Sequence, residues 1–426
     1  MGAHTALTGE VSSFSIDSRT VKAGDLFFAI EGEVNDGHQF LADAFARGAV
    51  AAVVHKDTGS DPRSLRVPDT LAALQELARW ACARWGGKVV GVTGSAGKTS
   101  TKDLIAAVLE AGMRVGKTFG NFNNHVGLPL SVLRVPQDSE VAVPEYGMNH
   151  GGEIRALARI APPNVAVVTN VGHAHIENFN SVEEIADAKR ELVDALKPDG
   201  VAVLNADDER VRAFRGPRTV HYDLSQAKDI ELHSQGVRFR VDEVEFETVL
   251  QGRHAVSNIL AALVVARVFG IEARQASDAI RSLSPGRMRG ERTICDGIVI
   301  INDCYNSNPD AAKGMLDVLR DTQAGRKVAV LGEMLELGRW SEPLHRDVGN
   351  YAVRCGVTVL VGIRGDARFL VESAVNAGLP TSAAYFFEDP EEAGAHLRSI
   401  AKKGDAILFK GSRGTRVEKA LEKFLE

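Results

Sequence analysis

From residue 88 to residue 285, short apolar runs alternate with stretches of helical spacing. The runs at 140–143, 165–169 and 201–204 read as buried strands, and 153–159, 181–196 and 256–269 read as helices. Such alternation predicts a mainly parallel sheet covered on both faces. Ser181 and Glu184 head one helix with the spacing of a capping box. Residues 229–251 change to a period near two, through Val237, Phe239, Val241, Val244, Phe246 and Val249, and predict antiparallel strands attached to the central sheet. After Ser284-Pro285-Gly286 the apolar runs return at 298–301, 328–331, 357–361 and 406–409, each followed by helical spacing, as in a second open α/β unit. Asn308-Pro309 offers an N-cap and a first-turn proline to the helix carrying Met315, Leu316 and Leu319. Upstream, 25–30 and 50–55 are apolar and 70–85 is helical until Gly86-Gly87 breaks the pattern. The expectation is an α/β chain of three domains, over 1–86, 87–285 and 286–426.

Length and composition narrow the class. A chain of 426 residues exceeds one ordinary core, and 44% hydrophobic with 25% charged residues is a globular mix. A net charge of −6 gives no electrostatic footprint for nucleic acid, so an anionic ligand needs local charges and helix ends. Cys82, Cys295, Cys304 and Cys355 form no CxxC pair, which points to neither a zinc site nor a disulfide framework. No apolar run reaches the ~20 residues of a membrane helix, and no secretory leader stands out. The expected setting is the cytoplasm, and the absence of a long apolar stripe suggests a monomer.

The chemistry is concentrated in GVTGSAGKTST at 91–101. An apolar run ends there and a helical stretch with Leu104, Ile105, Val108 and Ala111 begins, the strand–turn–helix context of a phosphate cradle. Gly94 and Gly97 let the chain bend around Ser95 and Ala96 so that successive N–H groups face phosphate oxygens. Lys98 supplies a point charge to the terminal phosphates; Thr99, followed by Ser100, supplies a hydroxyl for Mg²⁺. The common P-loop has a glycine six residues before its lysine, where Val92 stands here. This is the shorter TGxxGK[TS] loop.

Further stretches, with this loop, resemble the Mur ligase family. They are SIDSRTVKAGDLFFAI (15–30), DGHQF (36–40), GNFNNHVGLPL (120–130), PEYGMNHGGEI (144–154), NVGHAHIENFNS (170–181), AKREL (188–192), GRHAVSNILAA (252–262), INDCYNSNPDA (301–311), LGEMLELG (331–338) and KGSRGTRVEKAL (410–421). The likeness is greatest to the branch that joins D-alanyl-D-alanine to UDP-N-acetylmuramoyl-tripeptide. It implies a UDP-substrate domain, a P-loop ATPase domain and a Rossmann-like C-terminal domain. It also implies ATP and Mg²⁺, and amide formation through an acyl phosphate in peptidoglycan precursor synthesis. Rivals are the branch adding the third amino acid, folylpolyglutamate synthase and a P-loop ATPase switch. GNFNNHVG, DCYNSNPDA and LGEMLELG point away from the first two. The switch leaves His175, Lys189 and the acidic strand ends without a purpose.

Individual residues follow. Glu145 ends a buried run beside the loop, a good place for a metal ligand; Pro144 stands where the family has an aliphatic residue. His173 and His175 form His-x-His with no third soft ligand nearby. The resemblance puts His175 near a second Mg²⁺ and leaves His173 without a role. Lys189 has Ile185, Ala186, Leu192 and Val193 three or four residues away, so it points with the buried stripe. The resemblance implies its carbamylation by CO₂, which burial of a neutral amine favours. Asn258 is matched to adenine contact, with helix capping as the rival, and His254 is a weaker candidate. Arg287 is matched to the γ-phosphate, Asp303 to the ribose, and Tyr305, Asn306 and Asn308 to the nucleotide edge. Ser18, Arg19, Asp36, Gly37 and His38 match the UDP-substrate signature, and Asn123 and Asn124 the muramoyl end. Lys410, Ser412 and Arg413 are a candidate grip on the dipeptide carboxylate. Only 14 residues precede Ser15, fewer than the family carries before this motif.

Overall fold

The computed structural model describes residues 10–59, 61–118, 122–233 and 235–426. Gly120 and Asn121 of the GNFNNHVG stretch, and the first nine residues of the short lead before Ser15, lie outside them. Four sheets are found among the described residues. The first is parallel and runs Ser13–Ser15, Asp25–Phe28, Ala51–Val54, Ser64–Arg66. Its side chains alternate between two cores. Phe27, Ala52 and Val54 meet Ala44 on one face, and Leu26, Phe28 and Val53 meet Leu74 on the other. Leu74 belongs to helix Thr70–Trp85, whose bounds match the sequence pattern; Asp69 caps it by accepting Ala72 N–H at 2.9 Å, and Gly86 ends it at φ 73°.

The central sheet is parallel, in the order Arg218–Tyr222, Val201–Asn205, Val165–Val168, Lys88–Thr93, Val141–Val143, Val115–Lys117. The chain leaves Lys88–Thr93 toward one edge and returns on its other side. The glycine loop therefore opens at the point where strand order reverses, outside the carboxyl ends, which is where open α/β sheets bind ligands. Arg218–Tyr222 and Val115–Lys117 are edge strands that the apolar pattern does not announce.

The period-two segment corrects one expectation. Lys228–His233, Gly236–Val241 and Val244–Thr248 do form an antiparallel meander, but as a sheet of their own. Each strand finds its ladder partners within the meander. Val237, Phe239, Val241 and Phe246 cover the core that contains Val256 and Leu260 of helix Gly252–Val268, and the Phe239 and Phe246 rings stack at 5.4 Å.

The C-terminal sheet runs Glu291–Cys295, Ile298–Asp303, Asp405–Lys410, Arg326–Gly332, Val359–Ile363, Ala384–Phe387, parallel except for its first edge strand. Asp303 and Lys410 are register partners at the carboxyl ends of adjacent strands. Helix Pro309–Asp321, capped by Asn308 with proline in its first turn, lies against helix Gly252–Val268 and joins this unit to the central one. No helix among the described residues is long and apolar enough to cross a membrane.

Candidate active site

The glycine loop is shaped by the segment that follows the neighbouring strand. Asn170 accepts Ala96 N–H at 2.8 Å and donates to Ala96 O at 3.1 Å, and Thr169 donates to Ala96 O at 2.7 Å. Ser95 Oγ exchanges hydrogen bonds with Gly172. Gly97 precedes helix Lys98–Glu110 at φ 80°, and a Cβ there would lie 2.9 Å from Asn258 Oδ1, so backbone and neighbour both call for glycine. Asn258 is inside helix Gly252–Val268, whose N-cap is Gln251; it is therefore no cap, and its carboxamide abuts the loop.

Lys98 donates to Gly94 O at 2.8 Å. Burial pulls its ammonium below the usual lysine range; Glu145 and Glu336 oppose the shift and Arg289 adds to it. Thr99 Oγ1 donates to Glu145 Oε2 at 2.8 Å, and Asn123 Nδ2 to Glu145 Oε1 at 2.8 Å. Glu145 is buried and its N–H is accepted by Thr118 Oγ1 at 3.1 Å. Pro144 does no harm there, because the bond to the central strand uses its carbonyl, which accepts Val92 N–H at 3.1 Å. Among the described residues no three His, Cys, Asp or Glu side chains converge as a metal cage. A hydroxyl beside one carboxylate at a phosphate loop instead fits Mg²⁺, which takes few protein ligands and completes its shell with phosphate oxygens and water.

Lys189 is only 1% exposed on helix Val182–Asp194. Burial holds its amine well below the usual lysine range, and Lys98 adds to the shift. The helix is held at both ends. Ser181 accepts Glu184 N–H at 3.3 Å, while the Glu184 carboxylate reaches Asn180 N–H at 2.9 Å, one residue further back than a capping box predicts. Glu191 accepts Gly152 N–H at 2.7 Å and Arg155 N–H at 2.9 Å, fastening this helix to Glu153–Ile160.

The C-terminal unit is docked on this loop system. Asn308 accepts Ala311 N–H at 2.9 Å as a cap, and its Nδ2 reaches Ser95 O at 3.4 Å. Asp310 accepts His173 N–H at 2.7 Å and contacts the same ring, which gives His173 a place that the sequence did not. His175 Nδ1 lies 2.5 Å from Glu336 Oε2, at ion-pair distance but without hydrogen-bond alignment. His175 holds the Glu336 carboxyl below its ordinary value, against the effect of burial.

A cleft of about 700 Å³ joins these parts. Gly97, Lys98, Thr99, Ser100, Asn123, Asn124, Glu145, His175, His254, Asn258, Asp303, Tyr305, Asn306, Asn308 and Lys410 all line it. His254 keeps an exposed surface on the cleft wall, and desolvation by the groups around it pulls its pKa down. Three expectations change. Arg287 is exposed and does not line the cleft; Arg289 does, with Cζ 3.8 Å from the Tyr305 ring centre. The turn closed by Arg289 N–H on Gly286 O, with Met288 at φ 56°, turns the two arginines apart. Lys410, Ser412 and Arg413 form no joint grip. Lys410 is buried, 2.5 Å from Asp303 Oδ2 and 3.0 Å from Asn306 O, on the same cleft as Lys98. Ser412 is buried between Leu335 N–H and Ser307 O, and Arg413 faces solvent beside Glu418. Third, Asn124 Oδ1 is occupied by the N–H groups of Val126 and Gly127 at the start of the next helix.

The UDP-signature residues stand in the N-terminal unit and do not line this cleft. Ser18 is buried and Arg19 points outward, paired with Asp17. Asp36 accepts His38 N–H and Lys56 Nζ at 3.0 and 2.7 Å, and Lys56 holds its carboxyl far below the ordinary range. His38 Nε2 accepts His55 N–H at 3.2 Å. A Cβ on Gly37 would lie 2.8 Å from Ile30 N and O, so this turn needs glycine. His55 and Lys56, absent from the sequence reading, complete the cluster with Glu31.

A parallel sheet with a phosphate loop at its switch point, capped by a second α/β unit that reaches into the same cleft, defines a nucleotide-dependent enzyme. Family comparison agrees. Residues 10–116 match the Mur ligase family catalytic domain, 92–266 the Mur ligase middle domain, and 286–413 the Mur ligase glutamate ligase domain. The chain belongs to the Mur ligase family, in its MurF branch. UDP-N-acetylmuramoyl-tripeptide–D-alanyl-D-alanine ligase of Bacillus subtilis is 36% identical, over 98% of this chain and 93% of its own length. A crystal structure of MurF from Acinetobacter baumannii superposes with a TM-score of 0.88 at 28% identity, covering 97% and 93% of the two chains. MurF of Thermotoga maritima in complex with ADP gives 0.84 at 31% identity, covering 97% of each.

Proposed function

We propose that this chain is an ATP-dependent, ADP-forming ligase that joins D-alanyl-D-alanine to UDP-N-acetylmuramoyl-tripeptide. The observation that carries the reading is one cleft in which Lys98 and Thr99 of a phosphate loop face Glu145 and His175, in a chain of the MurF branch. The tripeptide carboxylate attacks the γ-phosphate, ADP leaves, and the dipeptide amine displaces phosphate from the acyl phosphate. The loop N–H groups and Lys98 take the phosphates. Thr99 and Glu145 hold one Mg²⁺, and His175 with a carbamylated Lys189 serves a second. When bound, the metal neutralises charge building on the transferred phosphoryl group. The depressed pKa of Lys189 supports the uncharged amine that carbamylation needs.

Asn258 and His254 take the adenine side, and the Asp303–Lys410 pair, with Asn306 and Asn308, the ribose edge. Ser18, Arg19, Asp36, Gly37 and His38 are assigned to the UDP end, and Asn123 to the muramoyl end. The reading includes a cytoplasmic monomer in peptidoglycan precursor synthesis, with consequences for cell shape and division. Tripeptide carrying ¹⁸O in its terminal carboxylate tests the chemistry. One labelled oxygen should leave in the phosphate, and label-free phosphate would overturn the acyl-phosphate route.

A further inference from the structure

We propose that Glu336 is a positioning residue, carried by the C-terminal unit, that orients the His175 imidazole, so that the metal side of the cleft is complete only when the two units dock. The inference rests on the proposed metal role of His175. It begins from the pairing of His175 Nδ1 with Glu336 Oε2 at 2.5 Å across the interface. Nδ1 is buried and faces this carboxylate, while the ring lines the cleft. A carboxylate at Nδ1 selects the tautomer protonated there and leaves the Nε2 lone pair for the cleft, which is how a partner group fixes a metal-binding histidine.

The backbone supports a built arrangement. His175 and Glu336 both sit at φ 63°, a left-handed conformation that residues with a Cβ avoid unless their surroundings hold them there. The surroundings are on both sides of the interface. Glu177 N–H donates to Glu336 O at 3.2 Å, and Asn178 N–H to His175 O at 3.2 Å. Gly338, at φ 50°, lets the two segments approach so closely that a Cβ there would stand 2.9 Å from Glu177 Cβ. A surface ion pair alone accounts for neither strained residue. Two facing left-handed residues, Glu336 held by Glu177 from across the interface and His175 by its own short turn, aim one carboxylate at one ring.

Mn²⁺, titrated into the ADP-bound protein and followed by electron paramagnetic resonance, tests this without turnover. Glu336→Ala should weaken Mn²⁺ binding about 10-fold or more, with metal-free ADP affinity within twofold of wild type. Glu336→Gln, which keeps the length and an oxygen facing the ring but loses the charge, should recover part of the loss. Glu336→Ala added to His175→Ala should weaken Mn²⁺ no further than His175→Ala alone. Unchanged Mn²⁺ affinity in Glu336→Ala, or additive losses in the double variant, would overturn the proposal. Failure of the wild-type ADP complex to bind Mn²⁺ would instead remove the metal reading of the cleft, and the inference with it.

Discussion

Replacing Gly97 with alanine should lower nucleotide affinity by about an order of magnitude. Gly97 sits at φ 80°, and Thr101 N–H bonds to its carbonyl at 2.8 Å as the first turn of helix Lys98–Glu110. A Cβ in this left-handed region costs roughly 1–2 kcal/mol. The added carbon would also meet Asn258 Oδ1 at 2.9 Å and Nδ2 at 3.4 Å, so the carboxamide must retreat by a few tenths of an ångström. The loop escapes the strain only by leaving the conformation that presents its N–H groups, and nucleotide binding must restore it. A penalty of about 1–2 kcal/mol corresponds to a 5–30-fold weaker ADP complex, measurable by isothermal titration calorimetry. Placing the same change in an Asn258→Ala background separates the causes, since the contact disappears and the backbone strain stays; most of the loss should remain. ADP bound by Gly97→Ala within twofold of wild type would refute the argument.

Other expectations concern Lys189 and Arg289. Lys189→Ala should abolish ligation, with partial rescue by a short carboxylic acid supplied in the assay; full activity without rescue would exclude the carbamate. Because burial holds the Lys189 amine below 10.5, the unfolded chain binds a proton between the folded value and 10.5 that the native protein lacks. Stability should therefore rise with pH across that window, and Lys189→Met should remove the slope and raise the neutral-pH melting temperature by about 2 °C or more while turnover is lost. Thermal melts at several pH values check this. Arg289→Ala, which removes both the Tyr305 stacking and a charge near Lys98, should weaken ADP by about 10-fold. Arg287→Ala should leave ADP affinity within twofold, as fluorescence titration would read.

Much of this fold is legible in the sequence because its strands are buried on both faces and read as apolar runs. The run ending at Val143 and the helix at Thr70–Trp85 stand out for that reason. Arg218–Tyr222 and Glu291–Cys295 do not, because edge strands pair through the backbone while polar side chains face water. The phosphate loop is visible since its glycines, lysine and threonine fall together within residues 94–99. What brings Glu336 to His175, Asp310 to His173 and Lys410 to Asp303 is the docking of units and the order of strands, and neither leaves a local trace. The shift from Arg287 to Arg289 comes from one left-handed residue, Met288, in a turn whose sequence demands no such backbone.

Phosphate release from ATP and Mg²⁺, with the UDP-linked tripeptide and D-alanyl-D-alanine added singly and together, tests the central claim most directly, provided the products are weighed. The account predicts release that needs both substrates and a product heavier than the tripeptide by one dipeptide less water. Sustained release without the dipeptide, or with no mass gain, would contradict it.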